Sequence, residues 1–264
     1  MMRLFTVLRR LPVFGIFLLL PDFAYSQSTN SVVIWPVNPV IESGERATPL
    51  RLENPGTRPI LMQIRIFGWQ QIDGDERFVE QKEVTGTPPM VRIEAGQQQL
   101  IRLTRIAPPS DGERSYRVII DEIPIADTPA QPGTGEPRQA AAAIQFRMRY
   151  SLPLFTYGTG DEARSARDRA KDRAGSAPAL EWRVVETGGA TSLEVHNPGT
   201  RHSRLTTVTM KRADGTSLKL DGAHGYVLAG ATMRFAITQA IAPQARLFAE
   251  VEGDSSSPMT HRQP

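Results

Sequence analysis

The same five residues occur twice in the chain, first as Asn54-Pro55-Gly56-Thr57-Arg58 and again as Asn197-Pro198-Gly199-Thr200-Arg201. Proline fixes its own φ and glycine accepts positive φ, so each copy is typical of a tight turn. Each copy also lies between two segments in which apolar and polar residues alternate, which is the pattern of a half-buried β-strand. A turn and its flanking strands that recur in this way indicate two related domains.

Short alternating segments separated by turn residues fill most of the chain. They include Val32-Val33-Ile34-Trp35, residues 60–67 and residues 116–120. A second, shorter repeat follows each copy of the turn: Ala95-Gly96 comes after the first copy and Ala229-Gly230 after the second. Strands of this length, spaced about 8–12 residues apart, are typical of β-sandwiches. The sequence therefore predicts an all-β fold of two immunoglobulin-like β-sandwich domains.

The first residues have the composition of an export signal. Arg3, Arg9 and Arg10 precede an apolar run over residues 11–20, and Ala24-Tyr25-Ser26 places small residues where a signal peptidase cleaves. The paired arginines would also fit twin-arginine export, but they are common in ordinary signals. The apolar run is too short to span a bilayer, so we expect export without stable membrane insertion.

Composition argues against several classes of function. The chain has no cysteine, which excludes disulfides, thiol chemistry and thiolate metal sites. Its formal net charge of +3 falls close to zero once residues 1–26 are removed, so we expect no nucleic-acid binding. We find no nucleophile elbow, phosphate loop or metal-spaced histidine pair, and we therefore expect no catalytic residues, no metal and no cofactor. Asp73-Gly74-Asp75-Glu76 lacks the remaining ligands of a calcium loop and predicts a hairpin turn instead.

Two segments of the first half resemble a known family. The first segment is Thr87-Pro88-Pro89-Met90-Val91-Arg92-Ile93-Glu94-Ala95-Gly96, which is similar to the T-P-P-x-x-R-[LI]-x-[PA]-G segment of pilus-assembly chaperones. The second is Tyr116-Arg117-Val118-Ile119-Ile120-Asp121-Glu122-Ile123-Pro124, which is similar to the Y-[FYR]-x-x-[LIV]-x-E-[IV]-P segment of the same chaperones. The resemblance covers residues 32–155 well and residues 179–251 more loosely. The chain is identified as a member of the periplasmic, PapD-like pilus and fimbria assembly chaperone family, of a divergent and archaic type.

The resemblance implies a mechanism and two partners. Chaperones of this family bind and stabilise pilus or fimbrial subunits in the periplasm by donor-strand complementation, in which the first domain lends a strand to a subunit that lacks one. The partners would be a pilin-like subunit and an outer-membrane usher. The alternatives are an exported immunoglobulin-like structural or adhesive surface protein, which would need no donor strand, and a secreted enzyme, which the missing catalytic motifs disfavour.

Residues 144–152 contain the candidate donor strand. Ile144, Phe146, Met148 and Tyr150 alternate with polar residues, after a Pro- and Gly-rich loop over residues 126–139. The resemblance assigns these four side chains to subunit binding. Periodicity alone also allows the same face to pack into the chain's own core, as in any sandwich.

The basic residues that would hold the subunit depart from the family pattern. The family binds the terminal carboxylate of its subunit with an arginine and a lysine, and the matched positions hold Asn38 and Pro153 here. Either other basic residues take this role, or the chain belongs to a divergent branch. Arg92 is the first candidate anchor, with Arg147 or Arg149 second, because a guanidinium can hold a carboxylate through two hydrogen bonds. The alternative is that these arginines are only solvated.

We expect five regions along the chain: a signal peptide over residues 1–26, an N-terminal immunoglobulin-like domain with the donor strand over residues 27–158, a charged linker over residues 159–178, a C-terminal immunoglobulin-like domain over residues 179–252 and a disordered tail over residues 253–264. The linker is rich in alanine and charged residues, and a short solvated helix is the alternative there.

Overall fold

The computed structural model describes residues 32–109, 111–125, 147–158, 180–242, 244–251 and 256–262, and in these ranges the chain consists of strands and their connections. The strands of the first half are β1 (Val33–Trp35), β2 (Val40–Ile41), β3 (Ala47–Glu53), β4 (Ile60–Ile72), β5 (Asp75–Val79), β6 (Val84–Thr87), β7 (Met90–Ile93), β8 (Gln98–Arg105), β9 (Arg114–Ile123) and β10 (Arg149–Thr156). Those of the second half are β11 (Glu181–Thr187), β12 (Ala190–His196), β13 (Ser203–Lys211), β14 (Ser217–Lys219), β15 (Gly225–Val227), β16 (Thr232–Ala236), β17 (Arg246–Val251), β18 (Ser257–Pro258) and β19 (Thr260–His261). No helix long and apolar enough to cross a membrane occurs within these ranges. The expected signal peptide, the expected linker and the loop before the donor strand lie outside the described residues.

The first ten strands form two sheets around one core. One sheet has the order β1-β3-β8-β6, and the other has the order β2-β10-β9-β4-β5 with β7 paired to β4. Because side chains alternate across a strand, every second residue points inward. Leu50 and Leu52 of β3 thus meet Val118 and Ile120 of β9, and all four are fully buried.

The remaining strands form a second sandwich of the same kind. Its sheets have the orders β16-β12-β11-β19 and β14-β13-β17-β18, with β15 paired to β13. Leu193 and Val195 of β12 pack against Val208 of β13 and Leu247 of β17 in its core. The predicted fold of two immunoglobulin-like sandwiches is therefore confirmed.

The repeated turn is built around a buried asparagine in both domains. In each copy the asparagine Nδ2 donates to the backbone oxygen four residues later and to a second backbone oxygen on a distant segment, while its Oδ1 accepts from the glycine two residues later. A buried amide is retained where its hydrogen bonds are satisfied, which explains why asparagine recurs at both places. The bonds of Asn54 run to Arg58, Ile93 and Gly56 at 2.8, 3.0 and 3.0 Å, and those of Asn197 run to Arg201, Val227 and Gly199 at 2.8, 3.0 and 2.9 Å.

The hairpin between β4 and β5 forms as predicted, and its tip reaches the second sandwich. Asp73 and Gly74 both have positive φ, as the two central residues of a tight hairpin turn require. The backbone N–H of Arg234 in β16 donates to Gly74 O at 2.9 Å. A Cβ on Gly74 would meet the Arg234 side chain at 2.5 Å, so only glycine allows this approach.

The prediction of a disordered tail is wrong for residues 256–262. β18 pairs with β17, β19 pairs with β11, and Met259 between them is 8% exposed in the second core. The backbone N–H of Arg262 also donates to Trp182 O at 2.8 Å. The stretch is polar on average, but one buried methionine and two short ladders are sufficient to attach it. The second domain therefore extends beyond residue 252.

We predict that Met259→Ala lowers the free energy of unfolding by roughly 2–4 kcal/mol, because a buried thioether side chain is lost from a packed core. Thr260→Ala, an exposed neighbour on the same strand segment, is the matched control and should change stability very little. Urea unfolding followed by circular dichroism would measure both. Equal stabilities of the two variants would contradict the attachment of the tail.

Candidate functional site

Strand β10 has one partner along its whole length and a second only at its end. β9 pairs with β10 from Arg149 to Thr156, whereas β2 pairs only with Phe155 and Thr156. The N–H groups of Phe155 and Tyr157 donate towards β2, so the backbone groups of odd-numbered residues point to that side. Among the described strands none covers residues 149–153 there. The N–H groups of Arg149 and Ser151 and the neighbouring carbonyls thus form an open edge.

Strand β1 supplies a second open edge on the same flank of the first sandwich. It is the terminal strand of its sheet and pairs with β3 alone among the described strands. Val32 N donates to Tyr150 Oη at 3.1 Å, which joins the start of β1 to β10 across the gap between the two sheets. Ile34 and Tyr150 pack on the core between these edges. Either edge can accept a strand of another protein, because its hydrogen-bonding groups are unpaired.

The predicted donor residues differ in where they lie. Met148 is 39% exposed and directly precedes β10, and its carbonyl accepts from Glu122 N at 3.0 Å, so the ladder with β9 already begins there. Tyr150 is half-buried against the core of its own domain, and Leu152 and Leu154 on the same face are buried. This face therefore packs into its own core from Tyr150 onward. Ile144 and Phe146 lie outside the described residues.

The predicted anchor arginines lie apart from one another. Arg92 is on β7, separated from β10 by β9 and β4, and its Nε donates to Glu94 Oε1 at 2.8 Å. Arg149 at the start of β10 donates from its Nε to Asp121 Oδ1 at 2.5 Å. Arg147 is exposed and precedes β10 by two residues. The structure thus brings Arg147 and Arg149, but not Arg92, close to the open edge of β10.

Asp121 on β9 joins two arginines on the outer face of the sheet. Arg65 NH2 donates to its Oδ2 at 2.7 Å, opposite the bond from Arg149. Desolvation by burial raises the pKa of Asp121, but the hydrogen bonds and positive charges of Arg149 and Arg65 together outweigh it and hold the pKa below its ordinary value of 3.8. The charge of Arg149 is thus already matched by a buried carboxylate.

Arg117 is a cation that the sequence analysis did not select. It lies directly opposite Pro153 in the ladder between β9 and β10. Its guanidinium carbon is 3.6 Å from the centroid of the Trp69 ring, and its NH2 group lies 3.1 Å from Glu76 Oε1. The side chain is 12% exposed, and its buried Nε has no hydrogen-bond partner in the described part of the chain. Only the strand register places this charge next to Pro153, and no local motif indicates it.

The second sandwich packs against the same end of this outer face. The ring of Phe155 in β10 stacks on His202 with centroids 3.6 Å apart, and Trp69 contacts Tyr226 edge-on at 5.4 Å. We call these four residues and Arg117 the interdomain corner. The corner holds a charged group among aromatic rings, because the guanidinium carbon of Arg117 lies over Trp69 and is 5.8 Å from the centroid of Tyr226 and 6.0 Å from that of Phe78.

Hydrogen bonds fix the two domains around the corner. The Gln71 side chain donates to Tyr226 O at 2.8 Å and accepts from Leu228 N at 2.9 Å. Glu113 accepts from the backbone N of His202 at 2.9 Å and from its Nδ1 at 2.8 Å. Together with the hairpin tip at Gly74, these bonds hold the second sandwich at one place on the first.

Comparisons with known proteins identify the family. Residues 31–158 match the family described as pili and flagellar-assembly chaperone, PapD N-terminal domain. A chain in the crystal structure of the CsuC–CsuE chaperone–tip adhesion subunit pre-assembly complex, from the archaic chaperone-usher Csu pili of Acinetobacter baumannii, is 30% identical. It superimposes with a TM-score of 0.69 over 88% of this chain and 100% of that chain. The chain belongs to the pilus-assembly chaperone family.

Two further relatives agree with this assignment. The probable fimbrial chaperone YadV of Escherichia coli (strain K12) is 29% identical over 179 residues, which are 66% of this chain and 65% of that relative. The match therefore spans just under two thirds of the relative's length. A chain in the structure of the Salmonella enterica SafA pilin in complex with the SafB chaperone is 21% identical, with a TM-score of 0.54 over 87% of this chain and 94% of that one, and it supports the fold alone. The family that the two motifs indicated is thus confirmed.

We predict that Asp121→Asn destabilises the protein at about pH 7 and that the difference from the unchanged protein shrinks at about pH 3. Because the folded pKa lies below 3.8, the ionised carboxylate stabilises the fold above that value, and this contribution is lost as the pH falls through the folded pKa. Urea unfolding at the two pH values measures the effect. Glu94→Gln, which removes an exposed ion pair with Arg92, is the control and should have little effect at either pH. An equal penalty for Asp121→Asn at both values would contradict the prediction.

Proposed function

We propose that this chain is a periplasmic chaperone that holds a pilus or fimbrial subunit on the open edge of β10 and delivers it to an outer-membrane usher. The observation that carries the proposal is the edge itself, open over residues 149–153 and preceded by the exposed Met148. Membership of the family supports it, as does the likeness to a chain crystallised in a chaperone–tip adhesion subunit complex of an archaic chaperone-usher system. The export signal expected over residues 1–26 agrees with a periplasmic location.

Binding would combine backbone pairing with apolar burial. A subunit strand pairs with the N–H groups of Arg149 and Ser151, and this pairing sets the register. Met148 then enters the apolar groove of the subunit, and the alternation in the sequence predicts the same for Ile144 and Phe146, which lie outside the described residues. Each such side chain contributes about 1.5–3 kcal/mol before the cost of ordering. Tyr150 anchors the strand to its own domain through the core and through its bond to Val32.

This function requires binding and no catalysis. The open edges, the exposed methionine and the interdomain corner bind backbone groups, an apolar surface and an anion. We therefore propose that the chain acts by binding, without a cofactor. An exported structural or adhesive protein, the alternative from the sequence, would have no use for an edge that stays open beside a second open edge.

We predict that Met148→Asp leaves the free protein folded and abolishes capture of the subunit. The side chain is 39% exposed in the free chain, but a carboxylate buried in the apolar groove of a partner costs several kcal/mol, on the order of a hundredfold or more in affinity. Co-purification with the co-expressed subunit measures capture, and thermal unfolding measures stability. Phe146→Asp tests the preceding apolar residue of the alternating sequence pattern.

Met90→Asp is the matched control for this experiment. Met90 is 48% exposed on β7, which is separated from β10 by β9 and β4, so its replacement should leave capture intact. Normal capture by Met148→Asp would reject the donor role of this face. Early melting of the free variant would place Met148 in the core instead.

We also propose that Arg117, and not Arg92, binds the terminal carboxylate of the subunit. Arg117 lies beside Pro153, one of the two positions where the family has a basic residue, and it lies in surroundings where water screens charge poorly. Both arginines have a carboxylate partner, Glu76 for Arg117 and Glu94 for Arg92, but Arg117 is 12% exposed beside Pro153 whereas Arg92 is 52% exposed on β7. Arg147 and Arg149 remain as second contacts, because both lie at the start of the open edge.

We predict that Arg117→Gln weakens binding of the subunit about tenfold or more, and that amidating the carboxyl terminus of the subunit has the same effect on the unchanged chaperone. Combined, the two changes should weaken binding no more than either alone, because both remove one interaction. Isothermal titration with an unmodified and an amidated C-terminal subunit peptide measures this. Arg92→Gln is the control and should respond to amidation like the unchanged protein. Additive effects of Arg117→Gln and amidation would refute the assignment.

A further inference from the structure

Three large apolar side chains are exposed within five residues at the start of the first domain. Val33, Trp35 and Val37 are 51%, 60% and 62% exposed. Val33 and Trp35 are on the outer face of β1, while Ile34 between them packs on the core. Single exposed apolar residues are ordinary, but a cluster on an open edge strand favours aggregation unless a partner covers it.

The neighbouring strands continue this surface. In the ladders β1-β3-β8, Trp35 is opposite Arg51 and Arg51 is opposite Leu100, so the three lie in one row across the sheet. The guanidinium carbon of Arg51 is 5.5 Å from the centroid of the Trp35 ring, and Leu100 is 49% exposed. We call Val33, Trp35, Arg51 and Leu100 the outer patch. It offers an apolar surface with Arg51 at its centre, and Glu53, opposite Val33 in the ladder between β1 and β3, lies at its edge.

The position of the outer patch identifies its occupant. β1 and β10 are open on the same flank, and Val32 N lies 3.1 Å from Tyr150 Oη between them. A subunit whose strand lies along β10 therefore also stands beside the edge of β1, and Val33 and Trp35 rise from that edge. The patch is thus continuous with the edges to which the proposed function assigns the subunit.

We propose that the pilin-like subunit makes a second contact on the outer patch, in which an apolar side chain packs on Trp35 and Leu100 and a carboxylate of the subunit lies near Arg51. This inference rests on the proposed function. The contact lies outside the groove that the donor strand fills, so it depends on the surface of the particular subunit. It would therefore help to determine which subunits the chaperone accepts.

The test compares surface variants for their affinity for the purified subunit. Trp35→Ala should weaken binding about tenfold or more without lowering the thermal stability of the free chain, because the indole is mostly exposed. Arg51→Ala should weaken it less and should reduce the dependence of binding on salt concentration. Ile106→Ala is the control, because Ile106 is 59% exposed beyond the end of β8 and lies outside the patch.

The outcomes separate this inference from the proposed function. If Met148→Asp abolishes capture while Trp35→Ala binds like Ile106→Ala, the outer patch is not a subunit contact and the chaperone function stands. If Met148→Asp captures subunit normally, the proposed function itself fails. Light scattering would show whether the free chain associates with itself. If Trp35→Ala abolishes self-association and leaves the affinity for the subunit unchanged, the outer patch binds a second copy of the chain and the inference is wrong.

Discussion

The central constraint in this molecule is that, among the described strands, β10 is paired on both sides only at its end. Backbone N–H and C=O groups need partners, and a strand left open on one side keeps groups available for another chain. β2 pairs only with Phe155 and Thr156, while β9 pairs with the other side of β10 along its whole length. The inner face of β10 packs on the core. The open part is thus a fixed edge. A rigid edge binds with a smaller entropic cost than a mobile segment, which must first be ordered.

The second sandwich changes the chemistry of the same sheet. By itself the outer face of β9 and β10 would be solvated, and a charge on it would be screened by water. Packing of Tyr226 and His202 against Trp69 and Phe155 closes one end of that face around Arg117. The attraction between this arginine and an anion is therefore stronger than on an open sheet. Beside the corner, Gln71 bonds to the backbone of Tyr226 and Leu228, and the hairpin tip at Gly74 approaches Arg234.

Much of the fold could be predicted from the sequence because its causes are local. The turns at Asn54 and Asn197 can be recognised from the residues within each turn, although each asparagine also donates to a distant segment, and the alternation along β10 is visible in the sequence. The point where the apolar face leaves the core, between Met148 and Tyr150, could not be predicted, since the pattern is the same on either side of it. Met259 was missed for a related reason: a single apolar residue in a polar stretch is buried only by strands that lie far away in sequence.

Charge placement was the least predictable property, because it depends on register between strands. Arg149 looks free in the sequence, yet Asp121 lies opposite it in the ladder and binds it. Arg92 looks like an anchor by motif, yet Glu94 two residues later holds its Nε. Arg117 is adjacent to Pro153 only through the pairing of β9 with β10. Whether an arginine in a β-sandwich can bind the carboxylate of a partner therefore depends more on its cross-strand neighbours than on the sequence motif that contains it.

The division of β10 into two parts bears on how a complex could be both stable and transferable. Under the proposed function, backbone pairing along residues 149–153 would contribute about 0.5–1.5 kcal/mol net per hydrogen bond, less than a fully buried apolar side chain. Apolar contacts of Met148 and the other proposed donor side chains would then supply most of the affinity, while the edge would supply alignment. A competing strand that displaced those side chains one after another would remove the apolar part of the binding free energy in steps. Only the weaker backbone hydrogen bonds along the edge would then remain to be broken. Because Tyr150 and Leu152 pack in the core of their own domain, release of a subunit from the proposed site would leave that core intact.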